Sequence, residues 1–123
     1  MKYCEIKTNR EREVKCVKYW LDRNPVEFLD MYCKNHNFNS APVYKNLTRK
    51  LKNEVIPCDP RPKFVFDCYA NKDNFPHYQI GYGMTKLEAK KNVASKILYC
   101  ISLRDPDLLA MSMNTQTPNN QSQ

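Results

Sequence analysis

The stretch Gly81-Tyr82-Gly83-Met84-Thr85-Lys86-Leu87-Glu88-Ala89-Lys90-Lys91 gathers lysines where the pattern predicts a helix start. Thr85 and Glu88 have capping-box spacing. The Thr85 hydroxyl is placed to accept from the Glu88 N–H, and the Glu88 carboxylate from the Thr85 N–H. Gly83, just before the cap, permits a positive-φ turn. Lys86 and Lys90, four residues apart, project from one side of the helix. A helix N-terminus is already the positive end of the dipole, so lysines there suit an anion such as phosphate. A solvated, lysine-rich helix start is the other reading of the same residues.

Nothing else in the chain has the spacing of a reactive site. His36 and His77 stand near no acid–nucleophile pattern, and both read as surface or capping residues. No cysteine sits at a helix start, where a thiol would be activated. An enzyme is therefore not expected. The six cysteines include no C-x-x-C pair and have only two histidines to join them, so no zinc site and no cofactor are expected. Met1–Lys18 is highly charged rather than apolar, unlike a secretory signal. Reduced, buried thiols in an intracellular protein are expected, with nucleus and cytoplasm both open. The sequon Asn46-Leu47-Thr48 then carries no modification, and with no apolar run of spanning length no membrane partner is expected.

The elements that must position these lysines can be read in order. The chain has 123 residues, with 20 Lys and Arg against 13 Asp and Glu, a net charge of +7 and a pI near 9.1. That is one domain's length and favours a polyanionic or acidic partner. The surplus lies before residue 105, because beyond it the only charges are Asp105 and Asp107. Helical spacing runs from Asn9 to Arg23, with Val14, Val17 and Leu21 on one stripe and Trp20 beside it. Asn24-Pro25-Val26-Glu27 predicts a second helix, with Asn24 as N-cap and Glu27 as its capping-box acid, reaching about His36. Its inward stripe is Val26, Leu29 and Cys33.

A strand is expected from Pro42 to about Thr48, followed by a basic, proline-ended loop from Arg49 to Pro62. Lys63–Ala70 alternates as a second strand, with Phe64, Phe66 and Cys68 on one face. Asn71–Pro76 is a turn, and His77–Tyr82 a third strand in a hairpin with the second. A helix from Thr85 to about Leu103 buries Ala89, Val93, Ala94, Ile97, Leu98 and Ile101, and Asp105-Pro106 stops it. The expectation is an α+β fold, α-β-β-β-α, with two helices on one face of a three-stranded antiparallel sheet. An N-terminal helical extension (1–23) precedes the domain (24–104), and a disordered polar tail (105–123) follows it.

This order and these residues resemble the double-stranded-RNA-binding domain. Asn24-Pro25-Val26-Glu27-Phe28-Leu29 looks like the family's first helix start, and Pro42-Val43-Tyr44 like its first strand. Pro62-Lys63-Phe64-Val65-Phe66-Asp67-Cys68 is similar to its second strand. Gly81 through Lys90, then Val93-Ala94, is similar to its Gly-x-Gly-x-Ser-Lys-Lys-x-Ala-Lys segment and the alanine pair beyond. The resemblance covers about residues 24–103. It implies a non-catalytic module that recognises double-stranded or structured RNA by shape, across about 16 base pairs. Lys86 and Lys90 would hold phosphates together with Thr85 and Lys91 at the helix start, Arg61 and Lys63 in the basic loop, and Asn24.

The chain also departs from the family's pattern. Leu87 replaces the middle lysine, Asp30 and Met31 replace the polar residue and glutamate that face the minor groove, and the longer Arg49–Pro62 loop replaces a Gly-Pro-x-His loop. These departures, with Tyr69, Phe75, Tyr78 and Trp20, support an alternative: the same fold acting in protein–protein interaction or dimerisation.

Overall fold

The last long helix of the chain is the piece everything else leans on. The structure, a computed structural model, describes residues 2–49 and 62–113, with side chains in the first helix from Arg10 onward. It contains α1 (Lys2–Leu21), α2 (Pro25–Asn35), β1 (Val43–Asn46), β2 (Phe64–Lys72), β3 (Phe75–Gly83), α3 (Lys86–Ser102) and α4 (Pro106–Met113). This is a mixed helix-and-sheet architecture with one antiparallel sheet in the order β1-β2-β3. Helix α3 packs on β2 and β3, and α1, α2 and α4 pack on α3.

Strand alternation decides which side chains meet the helices. Phe66, Cys68 and Ala70 of β2 share one core with Leu29 and Cys33 of α2 and with Ala89, Val93, Ala94, Ile97, Leu98 and Ile101 of α3. The six apolar positions expected on α3 are all at most 4% exposed. Burying the larger of these, Val93, Ile97, Leu98 and Ile101, contributes about 1.5–3 kcal/mol each.

The two glycines explain how close the layers come. A Cβ on Gly81 would lie 2.5 Å from the Val93 backbone nitrogen, and one on Gly83 would lie 2.5 Å from that of Ala89. Neither glycine has a positive φ. Gly83 therefore serves close approach, not the left-handed turn expected of it. Among the described residues the left-handed ones are instead Asn24, Asn37, Asp73 and Asn74, from the residue types that tolerate this conformation best after glycine. Asp73 and Asn74 form a two-residue hairpin turn, so β2 and β3 pair out to Lys72 and Phe75. The turn is tighter than the Asn71–Pro76 expected.

Three further expectations change. Helix α1 begins at Lys2 rather than Asn9, and Val14 is 62% exposed instead of lying on the inward stripe. That stripe is Cys16 and Trp20, in the same core as α2 and α3, with the Trp20 ring centroid 4.4 Å from that of Phe28. Trp20 is thus internal packing, not a docking residue. Finally, Asp105-Pro106 does more than stop α3. Asp105 Oδ1 accepts from the N–H groups of Asp107 and Leu108, capping α4, which buries Leu108 and Ser112 where a disordered tail was expected. Residues 114–123 lie outside the described residues.

Candidate nucleic-acid interface

Strand register brings most of the expected cationic residues to one end of the sheet. Phe64 pairs with Gly83, and the Lys63 N–H donates to the Gly83 carbonyl at 3.0 Å. Lys63 therefore stands beside the turn that launches α3. Helix α2 runs the same way as α3, since Tyr32 in its last turn and Phe38, three residues beyond its end, meet the β2–β3 hairpin at the far end. Helix α3 starts at the Gly83 end, so its positive dipole end lies there. Leu21, just before Asn24, borders a groove with Met84, Thr85, Leu87 and Lys91.

The local capping is close to expectation, with two changes. Thr85 Oγ1 accepts from the Glu88 N–H at 3.0 Å, as its type and spacing predict. The Glu88 carboxylate, however, accepts from the Met84 N–H rather than that of Thr85. It therefore lies over the helix start and offsets part of the local positive charge. At α2, Asn24 makes no side-chain cap. Its backbone is left-handed (φ 45°), and its Nδ2 donates instead to Glu27 Oε1 at 2.8 Å. With one Nδ2 hydrogen bonded to Glu27, the exposed Asn24 shapes the entry to α2.

The lysines divide by what they touch. Lys63 and Lys86 are exposed and Lys91 half-buried, and none pairs with a carboxylate among the described residues. Lys90 is different. Its Nζ lies 5.1 Å from the Tyr44 ring centroid and 5.8 Å from that of Phe66, so the ammonium turns back over the sheet. Lys96, farther along α3, donates to the Ile80 carbonyl at 3.0 Å. Leu87 is 64% exposed and Met31 50% exposed, both on surfaces that the resemblance gives to RNA. Arg61 lies outside the described residues.

The sheet's outer face joins a buried pair that alternation alone did not reveal to the exposed tyrosines expected there. Val65 and Asp67 are buried there, and the Tyr78 hydroxyl donates to Asp67 Oδ2 at 2.8 Å. Val43, Tyr69 and Tyr78 stand in direct cross-strand register and remain exposed.

Four of the six cysteines have described side chains. Cys16, Cys33, Cys68 and Cys100 are free thiols. Burial pushes Cys33 up to about 11 and Cys68 up to about 12, so both stay protonated at neutral pH. His77 differs from expectation: it is buried beside the hairpin, and burial, then the Arg104 charge, hold its pKa below the ordinary value. Among the described residues no group of three His, Cys, Asp or Glu is arranged to hold a metal ion, and no helix is long and apolar enough to cross a membrane. No family model, curated protein or solved structure matches this chain.

Proposed function

We propose that this chain is a non-catalytic module that binds double-stranded or structured RNA by shape, with the arrangement of a double-stranded-RNA-binding domain. The observation that carries this reading is the convergence of the α3 N-terminus with Lys63, Lys86 and Lys91 at one end of the sheet. Ammonium groups free of carboxylates neutralise phosphates and release counterions, which gives affinity without base specificity. Lys90 contributes less, because its ammonium already rests on two rings.

The test is titration of a 20-base-pair RNA duplex, and of the matching DNA duplex, at 50 and 200 mM salt. Saturable binding that weakens steeply with salt and prefers RNA over DNA supports the reading, since only RNA offers 2′-hydroxyls. No detectable binding to either duplex at 50 mM salt removes it.

A second reading rests on the outer face of the sheet. Val43, Tyr69 and Tyr78 form a row across all three strands, 48%, 42% and 50% exposed respectively. Such a row suits a protein partner or a homodimer. Sedimentation of the wild type and of a Tyr69→Ser/Tyr78→Ser variant tests it. Self-association that disappears in the variant supports this reading, and a monomer in both cases removes the homodimer.

A further inference from the structure

We propose that the cleft at the hairpin end of the sheet binds a small anion carried on a flat apolar body, such as a ring bearing a phosphate or carboxylate. The cleft encloses about 320 Å³ between the C-terminal ends of α2 and α3 and the β2–β3 turn. That is the lower end of the range for small-ligand pockets. Phe38, Phe75 and Ile101 supply apolar wall, and Lys72, His77 and Arg104 supply the polar groups.

Each polar group is held in place yet unspent. The Arg104 guanidinium lies 3.6 Å from the Phe75 ring centroid, and Lys72 Nζ lies 6.0 Å from that of Phe38. Neither cation pairs with a carboxylate among the described residues. The two acids that share the cleft form no ion pair with either cation. Asp105 accepts from the Tyr32 hydroxyl with Oδ2 and from the Asp107 and Leu108 N–H groups with Oδ1. Asp73 is exposed in the turn, where its N–H donates to Asn39 Oδ1.

His77 is the most telling group. It is 9% exposed, sits between Phe38 and Phe75 (ring centroids 6.4 and 5.2 Å away), and forms no hydrogen bond with a described residue. Held neutral by burial and by Arg104, it offers one N–H to an anion that Lys72 and Arg104 attract.

The experiment follows the His77 ring by nitrogen-correlated NMR while phenyl phosphate is added to the full chain. Inorganic phosphate, benzyl alcohol and adenosine 5′-monophosphate form the other arms. The expected result is a saturable His77 shift with phenyl phosphate, and affinity about tenfold weaker for inorganic phosphate and for benzyl alcohol, each of which lacks half the match. Adenosine monophosphate binding more tightly than phenyl phosphate assigns the site to nucleotides; equal or weaker binding assigns it to simpler aromatic anions. Arg104→Gln is expected to weaken phenyl phosphate about tenfold by removing a charge-assisted hydrogen bond, and Lys72→Gln, at the edge of the hairpin, to weaken it in the same sense without disturbing Phe75. Lys86→Glu, at the other end of the sheet, leaves it unchanged. A His77 resonance that does not move, or one that moves equally in the Lys72 and Arg104 variants, overturns the proposal.

Discussion

At the Gly83 end of the sheet Lys63 and Lys86 stand in solvent, whereas at the Asp73 end Arg104 lies on Phe75 and Lys72 reaches over Phe38. The two ends are about 26 Å apart, given eight strand steps of about 3.3 Å. The α3 N-terminus lies at the first end together with Leu21, the last residue of α1, and the α3 C-terminus lies at the second together with the Asp105-capped start of α4. Free lysine heads on flexible stems suit a long, repetitive polyanion, because they neutralise charge without fixing one geometry. A guanidinium laid on a ring beside a buried imidazole is fixed in place, and fixed donors suit a small ligand of defined shape. Positive side chains therefore serve two different kinds of partner at the two ends.

The widest separation between the ends should come from the glycines. Gly81→Ala or Gly83→Ala forces α3 off β3, since the new Cβ would meet helix backbone at 2.5 Å. Overpacking of this kind is expected to cost about 3 kcal/mol. Thermal melting should show it, with Gly83→Ala also disturbing the amide resonances around Thr85. A melting temperature close to that of the wild type would mean that the layers are not so tightly apposed.

Next in size is charge reversal at the Gly83 end. Lys86→Glu with Lys91→Glu should leave melting unchanged and weaken duplex RNA binding at least about tenfold. The slope of log K against log salt should fall by about 2, roughly one unit for each phosphate no longer neutralised. The same pair of substitutions should not touch ligand binding in the hairpin cleft.

Asp105→Ala tests the other end. It removes the α4 cap and the acceptor of the Tyr32 hydroxyl together, and should cost about 1–2 kcal/mol in chemical denaturation. Asp105 has its carboxyl pKa lowered, first by the Tyr32 hydroxyl, so its contribution is present above the ordinary value of 3.8 and disappears as pH falls below it. For His77 the folded pKa is also depressed. Its contribution is full above its ordinary value of 6.5 and disappears as pH falls from there toward the folded value. Melting at pH 7.5 and 5.5 should therefore show less stability at the lower pH, and His77→Phe should flatten that difference.

The smallest effect is expected at Lys90. Lys90→Met keeps apolar packing on Tyr44 and Phe66 but removes the ammonium, a change of about 0.5–1 kcal/mol. Its RNA affinity should fall less than that of Lys86→Met, measured side by side. An equal loss would place Lys90 with the free lysines.

The hairpin, the long α3 and its Thr85 cap were legible because each depends on local signals: alternation, helical spacing, and a hydroxyl three residues before Glu88. Asp105-Pro106 carries the same kind of signal as Asn24-Pro25. It reads as a stop in the sequence because the polar run beyond it hides the packing that buries Leu108. Trp20 could be seen to need a neighbour, but which neighbour depends on where α1 lies against Phe28 and α3.

By itself, then, the sequence determined the order of elements from α1 to α3, the helix-facing side of β2, the buried face of α3, and the positive charge of the whole. Tertiary structure alone decided how that charge is used. Register sets Lys63 beside Gly83, and close packing on the glycines holds the start of α3 there. Lys90 is turned back onto Tyr44 and Phe66, while His77, a polar residue next to a turn, is enclosed between Phe38 and Phe75. The physical reason is that capping and periodicity act over three or four residues, whereas desolvation and ring stacking depend on groups that the chain brings together from tens of residues apart.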